Sequence, residues 1–501
     1  VQSGAVPLSE GGMNMLLTNG TVITMNASRE IIEKGAVLIC GERIEDVGTA
    51  GELEQKYPEE ERIDCTGKLI LPGFIDAHSH AGHCMNKALA YDCRSYWMPI
   101  MTKIYHFNTT NDYWYLEGRL AALERLKSGV TCGVSVISNA QRIDNVEIPV
   151  CHGNGYAEVG IREVLAVGPS NPPYPRKARS YINGKWVEGE FSFEQLMENT
   201  EEAIIRTNHT HNDLIRAFVT PFVMVSSVNP SSPTPPDEAV RLTEQDKRMM
   251  KWVREIAKRQ KTRIHTEAFG GMIRIAAQCD TPLLGEDVHV QHCTGISFDE
   301  AMILAKTKTN VSTAPGAGQL TNRCPVPELI ELGCNVAIST DGTSPAVSFD
   351  LLQAARKTQM LQQGALHDSF YLPPGKLLEM ITIDAAKALG MEKEIGSLEK
   401  GKQADVITVN MEQPHLMPAY MPVYKLMLYA TAQDVDMTIV KGKILMKDRK
   451  VLSCDEKEIM YSAWKEAEET IVRAGAEKYM QPSDTFWGNA RNYIFEPRYT
   501  E

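Results

Sequence analysis

Apolar and polar positions alternate in short runs at both ends of the chain. Near the start stand Met15-Leu-Leu-Thr-Asn-Gly-Thr-Val-Ile-Thr-Met25 and Ala36-Val-Leu-Ile-Cys-Gly-Glu-Arg-Ile-Glu-Asp-Val-Gly48. Near the end stand Ala404-Asp-Val-Ile-Thr-Val-Asn410 and Thr438-Ile-Val-Lys-Gly-Lys-Ile-Leu-Met446. A period of two predicts strands, with Asn19-Gly20, Gly41-Glu42 and Lys441-Gly442-Lys443 as turns. Between these ends the pattern changes. Short apolar runs at 73–77, 130–136, 162–167, 215–224, 263–266, 288–292, 310–313 and 335–340 read as buried strands. Helical patterns intervene, among them 114–128, 193–206, 244–260 and 299–306. Alternating strands and helices predict parallel β/α units, and eight strands close a (β/α)8 barrel. The expected architecture is α/β: a barrel over 66–397, and one small β-domain made from 13–65 and 398–455. A C-terminal helix and tail fill 456–501, with Ile459, Ala463, Trp464, Ala467 and Ile471 on an apolar stripe. The 170–214 stretch reads as an elaborated loop with a helix.

The 501 residues exceed one ordinary core. Composition is that of a globular chain, 43% hydrophobic and 23% charged. A net charge of −12 argues against nucleic acid or an anionic membrane as partner. No apolar run approaches the ~20 residues of a membrane span. The first residues, Val-Gln-Ser-Gly-Ala-Val-Pro, lack the basic and apolar regions of a secretory leader and do not begin with Met. Eleven scattered cysteines without a Cys-x-x-Cys pair read as reduced thiols, which places the protein in the cytoplasm.

The candidate chemistry begins at Leu71-Pro-Gly-Phe-Ile-Asp-Ala-His-Ser-His80. Residues two apart on a strand share a face, so Phe74, Asp76, His78 and His80 are expected on one side. Two imidazoles side by side can grip one metal ion. Further along come His265 in Lys261-Thr-Arg-Ile-His, His292 in Val288-His-Val-Gln-His-Cys, and Asp341 in Asn335-Val-Ala-Ile-Ser-Thr-Asp-Gly. Each closes a predicted strand, where barrel enzymes keep their reactive groups. His209-Thr-His211 repeats the His-x-His spacing but precedes a strand and reads as an exposed loop. His289 is expected to face a helix, away from His292. His83 is open between a substrate contact and a loop cap. Cys84, Met85, Tyr91, Trp97 and Met98 can wall a pocket or pack a long loop.

The order His-x-His, His, His, Thr-Asp-Gly, with its flanks, resembles the triazine hydrolase and nucleobase deaminase branch of the amidohydrolase superfamily. Gln291-His-Cys with Ser297-Phe-Asp-Glu-Ala, and Cys324-Pro-Val-Pro-Glu-Leu-Ile-Glu-Leu-Gly, are similar too. The resemblance spans about residues 14–455 and implies that the terminal β-domain is a composite sandwich. It implies one divalent metal, zinc first and iron second, held by His78, His80, His265 and Asp341. It implies that Asp341 takes a proton from a metal-activated water and that His292 polarises the group under attack or holds the water. Dinuclear relatives need a lysine at the end of strand four, and Leu214–Met224 has none. Deaminases of this branch place a shuttle glutamate three residues after the strand-five histidine. Here that position is Ala268; Glu267 stands two residues on, shares a face with His265 and is the expected proton shuttle, with a salt bridge to a neighbouring arginine as the alternative. Gly295 and Ser312-Thr-Ala-Pro-Gly-Ala-Gly also depart from the branch. The activity implied is hydrolysis of a C–N bond in a small heterocyclic substrate, deamination first. Dealkylamination or dechlorination of a triazine-like ring and cyclic-amide hydrolysis are the alternatives, and a non-catalytic scaffold the contrasting class. A homodimer is common among similar proteins.

Overall fold

The computed structural model describes residues 14–93, 97–139, 141–228, 242–316, 322–483 and 486–490. Strands β1 (Met15–Ile23), β2 (Ile31–Cys40), β3 (Arg43–Thr49), β4 (Glu61–Asp64) and β5 (Lys68–Pro72) open the chain. Gly41 turns β2 into β3 with φ 58°. Asn19-Gly20 does not make a hairpin. It lies inside β1 as an irregularity, with Asn19 at φ 65°. There a Cβ on Gly20 would lie 2.7 Å from Ile70 Cδ1, so the glycine admits the neighbouring strand.

The barrel strands follow: β6 (Phe74–Asp76), β7 (Val130–Val136) and β8 (Arg162–Val167). A hairpin, β9 (Arg176–Ile182) and β10 (Lys185–Phe191), and the helix Phe193–Thr207 fill the long connection. Then come β11 (Ile215–Val219), β12 (Ile264–Phe269), β13 (Val288–Thr294), β14 (Asn310–Thr313) and β15 (Val336–Ile338). Strand order runs β15-β14-β13-β12-β11-β8-β7-β6, all parallel. The ends of this sheet meet where Asp341 N–H donates to the His78 carbonyl at 3.0 Å and Thr340 N–H to Asp76 Oδ1 at 2.9 Å. Strand four is shorter than its apolar run: β11 stops at Val219, ahead of Pro221, which has no N–H for a ladder.

β16 (Val406–Asn410), β17 (Val435–Val440), β18 (Lys443–Lys447) and β19 (Lys450–Val451) then return to the first sheet. β16 pairs antiparallel with β5, Val406 against Pro72 through Asn410 against Lys68. Both chain ends therefore build one nine-stranded sheet. The helix Glu456–Arg473 buries Ile459, Ala463, Ala467 and Ile471, whereas Trp464 of the same expected stripe is exposed and donates to Glu468. Residues 491–501 of the expected tail, and Gly318 with Ala317 of the strand-seven loop, lie outside the described residues.

Side-chain direction differs from the expected alternation at β6. Phe74 packs with the helix-facing core, and Asp76 pairs with buried Arg125 of the surrounding helix Asn111–Lys127 at 2.9 Å. Ile75 and Ala77 point inside, with Val134, Ala166, Phe218 and Ala337. Regular pairing lapses after Asp76 and resumes as a bridge from His80 to Val136, which resets the phase and turns His78 and His80 inward. Along β6 to β11 the interior is apolar above Arg162 and Arg216. Beneath β12 to β15 it carries His265, His289, Gln291, Ser312 and Ser339, all buried.

Candidate metal centre

Five ionisable side chains converge at the carboxyl-terminal mouth of the barrel. His78 and His80 follow β6, Glu267 lies on β12, His292 on β13, and Asp341 follows β15. His292 and Asp341 adopt left-handed backbone, with φ of 74° and 66°. At His292 this breaks the alternation of β13, so His289 and His292, an odd number of residues apart, both reach the interior. His289 thus faces the barrel centre, where its Nε2 meets Ser312 Oγ at 2.6 Å, and not a helix.

Asp341 Oδ1 lies 3.5 Å from His78 Nε2 and 3.4 Å from His80 Nε2. Glu267 Oε1 lies 3.9 Å and 3.5 Å from the same two nitrogens. His292 Nε2 is 3.6 Å from Glu267 Oε2 and 3.9 Å from Asp341 Oδ2. His80 Nδ1 donates to the Ser138 carbonyl at 2.8 Å, which points its Nε2 at the cluster. His78 Nε2 and Glu267 Oε1 are buried and have no hydrogen-bond partner. Two carboxylates, paired imidazoles and orphaned buried acceptors at these separations fit a divalent cation.

His265 is not brought into this group. Its Nε2 meets Nδ1 of His78 at 2.8 Å, and its Nδ1 donates to the His289 carbonyl at 3.2 Å. It sits on the same face as Glu267 but one layer deeper. His289, Ser312, Gln291 and Ser339 extend this buried hydrogen-bonded chain below it.

The electrostatics follow the burial. Burial pushes His78 well below its ordinary value and His265 down to about 3. Burial also opposes charge on His80, yet Asp341 and Glu267 raise it to about 9. Burial raises Glu267, against the pull of His292 and His80. Asp341 is held well below the usual carboxylate range, because His78 and His80 outweigh its burial.

A cavity of about 210 Å³ opens over the cluster, lined by His80, His83, Trp97, Phe222, His292 and Asp341 among others. It adjoins a chamber of about 580 Å³ that shares Trp97, Asp341, Gly342 and Ser344 and extends to Met360 and Leu361. His83 is buried between His80 and Tyr105, its ring stacked on both, and neither ring nitrogen has a hydrogen-bond partner. Of the loop residues after strand one, Trp97 and Met98 line the cavity and Tyr91 the chamber. Asn139, Phe222 and Ser344 line the site without any signal in the sequence. His209 and His211 are exposed, bonded to Asp213 and Asn154, as their loop position implied.

The amidohydrolase family model matches residues 69–445. The chain belongs to the amidohydrolase family. This amidohydrolase is 28% identical over 481 residues to the 5-methylthioadenosine/S-adenosylhomocysteine deaminase of Syntrophomonas wolfei, covering 92% of this chain and 100% of the relative. It is 25% identical to the 5'-deoxyadenosine deaminase of Methanosarcina mazei, again over 92% and 100%. Its fold matches the adenosine deaminase of Xanthomonas campestris solved with bound zinc (TM-score 0.74, 18% identity, 92% and 99% covered). It also matches the atrazine chlorohydrolase of Arthrobacter aurescens complexed with zinc (TM-score 0.71, 18% identity, 90% and 100% covered). The amidohydrolase is a metal-dependent hydrolase of carbon–nitrogen bonds that acts on a small molecule. Among the described residues, no helix is long and apolar enough to cross a membrane.

Proposed function

We propose that this amidohydrolase deaminates a heterocyclic amine carrying a substituent, with a purine nucleoside-like compound as the first candidate. One observation supports the reading most: a carboxylate–imidazole cluster at the floor of a small cavity with flat walls, Trp97, Phe222 and His292, opening to a larger chamber. The small cavity suits a planar ring and the chamber a substituent. The adenosine-derivative deaminases among its relatives support the same class. His78, His80 and Asp341 would hold one divalent ion, zinc in this reading. The bound zinc of two structural neighbours supports that choice. When bound, the ion supplies a Lewis acid and a water acidic enough to ionise near neutral pH. Asp341, whose carboxylate is held anionic by its histidine neighbours, would be the group beside the ion able to take up a proton. His292, at the cavity wall, donates a hydrogen bond to the group under attack. Trp97 and Phe222 hold the ring and exclude bulk water. The scattered cysteines, with no Cys-x-x-Cys pair, support a cytoplasmic location.

The test is ammonia release against adenosine derivatives, pterins and aminotriazines, with metal content measured on the same preparation. Turnover of at least one compound that falls with chelation and returns with zinc is expected. Release of chloride or alkylamine without ammonia would move the activity to triazine-type displacement. No turnover in a protein that purifies without metal would leave the scaffold reading.

A further inference from the structure

We propose that the outward face of the helix Pro422–Leu428 is a self-association surface, and that a second copy of this chain docked there covers the outer mouth of the chamber beside the site.

Residues 417–429 read Met-Pro-Ala-Tyr-Met-Pro-Val-Tyr-Lys-Leu-Met-Leu-Tyr, with Lys425 as their one charged residue. Leu426 and Met427 are buried against the rest of the chain. Met421, Tyr424 and Leu428, at spacings of three and four, form a stripe on the other side and are exposed, as are Met417, Tyr420 and Tyr429. A helix that is apolar on both faces belongs in an interior, so the exposed stripe marks a surface that a partner covers. Lys425 does not make this face polar: its Nζ lies over the Tyr429 and Tyr420 rings, 4.9 and 5.4 Å from their centres.

The surface continues onto the helix Leu351–Leu366. Arg356 of that helix donates to the carbonyls of Met427 and Ala430, at 3.3 and 2.7 Å. One turn further on stands Met360, which is exposed and also lines the chamber of about 580 Å³. These seven side chains are 36% to 70% exposed. At ~200 Å² for a large side chain they offer on the order of 700 Å², against ~800 Å² per partner in a standard interface.

Composition points to a second copy as the occupant. Tyr and Met are enriched at the centres of protein interfaces, and acidic residues are depleted there. A two-fold contact sets one surface against itself, so any carboxylate on it meets another carboxylate. The chain carries 64 Asp and Glu residues and a net charge of −12, yet residues 417–429 contain none of them. Two like-charged copies meet there without opposing carboxylates. The exposed Met460, Tyr461 and Trp464 on the helix Glu456–Arg473 are different. Lys457, Lys465, Glu468 and Glu469 stand among them, and Trp464 donates to Glu468.

Light scattering on a sizing column, with the wild-type chain at micromolar concentration, is expected to give twice the chain mass. Tyr424→Glu should weaken association by at least ~100-fold, because the two-fold axis introduces the change twice, with circular dichroism and thermal midpoint unchanged. Leu428→Glu should do the same, and Tyr461→Glu should stay dimeric. A monomeric wild type overturns the proposal, and one that pellets with phosphatidylcholine vesicles assigns the face to a membrane surface instead. A dimer that survives both Tyr424→Glu and Leu428→Glu overturns it too, since the interface then lies elsewhere. The cover over the chamber has its own readout. In Met360→Cys, labelling of that position by N-ethylmaleimide, located by peptide mass spectrometry, should be slow and should rise on the order of 10-fold when Tyr424→Glu is added, as an interface core excludes the reagent. Equal rates refute the cover. None of these readouts requires the metal.

Discussion

His292 reaches the cavity because its backbone is left-handed, a conformation that costs a non-glycine residue on the order of 1 kcal/mol and persists where the surroundings hold it. Its ring stacks on Phe269 at 5.2 Å and its Nε2 faces both carboxylates. It faces Glu267 and Asp341, its ring lies edge-on to His78 at 5.6 Å, and it stands outside the proposed ligands His78, His80 and Asp341, so its loss should spare the ion. His292→Gln is expected to keep metal content and thermal midpoint while turnover falls by ~10²–10⁴-fold, the range of acid–base and polarising groups. Steady-state kinetics beside metal analysis check this, and a variant that loses its ion would place His292 among the ligands. His78, His80 and Asp341 were legible because each stands in a distinctive local string. The layer of His265 was not. Period two says that His265 and Glu267 share a face, but the height at which that face meets the mouth depends on the tilt and register of the neighbouring strands.

At the scale of elements, the barrel wall is tied by buried ionic groups. His152, on the helix Glu147–Val159, sits between Glu117 at 2.9 Å and Glu163 of β8 at 2.8 Å, with all three side chains fully buried. Burial opposes its charge, but the two carboxylates raise it to about 10. A folded value above the unfolded ~6.5 means protonation stabilises the fold, fully below pH ~6.5 and progressively less up to pH ~10. The expected loss across that window is on the order of 2–5 kcal/mol, read as a falling thermal midpoint in calorimetry at stepped pH. His152→Gln should be less stable at pH 7 and lose most of the slope. An unchanged slope would assign it to other groups. Elements were readable where the period was long, as in Glu244–Gln260, a helix with the same bounds in sequence and structure. They were misread where a local irregularity intervenes, as in the lapse after Asp76 and the left-handed Asn19. The β9–β10 hairpin escaped notice because its faces are largely exposed, without a regular apolar repeat.

At the scale of the whole molecule, one buried pair joins the barrel to the sheet from the chain ends. Arg162 of β8 donates to both oxygens of Asp405, at 2.6 and 3.3 Å, and Asp405 also accepts from Lys441 N–H at 2.9 Å. Both side chains are 2% exposed. Removing one partner strands a buried charge, so Arg162→Met should cost ~3–5 kcal/mol. Denaturant melts would register it, and a cost under ~1 kcal/mol would mean that water replaces the arginine. The pair was invisible in the sequence, since its members stand far apart along the chain and neither belongs to a motif.

The pairing of β5 with β16 also has a consequence for biosynthesis. β5 leaves the ribosome early, but its partner edge stays open until residues 406–410 emerge, roughly tens of seconds later at ordinary translation speeds. During that interval Leu69, Ile70 and Leu71 border an unpaired strand edge, the kind of template on which other chains can assemble. Nascent chains stalled before residue 406 should therefore sediment as aggregates or be held by chaperones, and chains stalled well beyond residue 447 should resist protease. Equal protease resistance at both lengths would mean that the barrel protects this edge before its partner arrives.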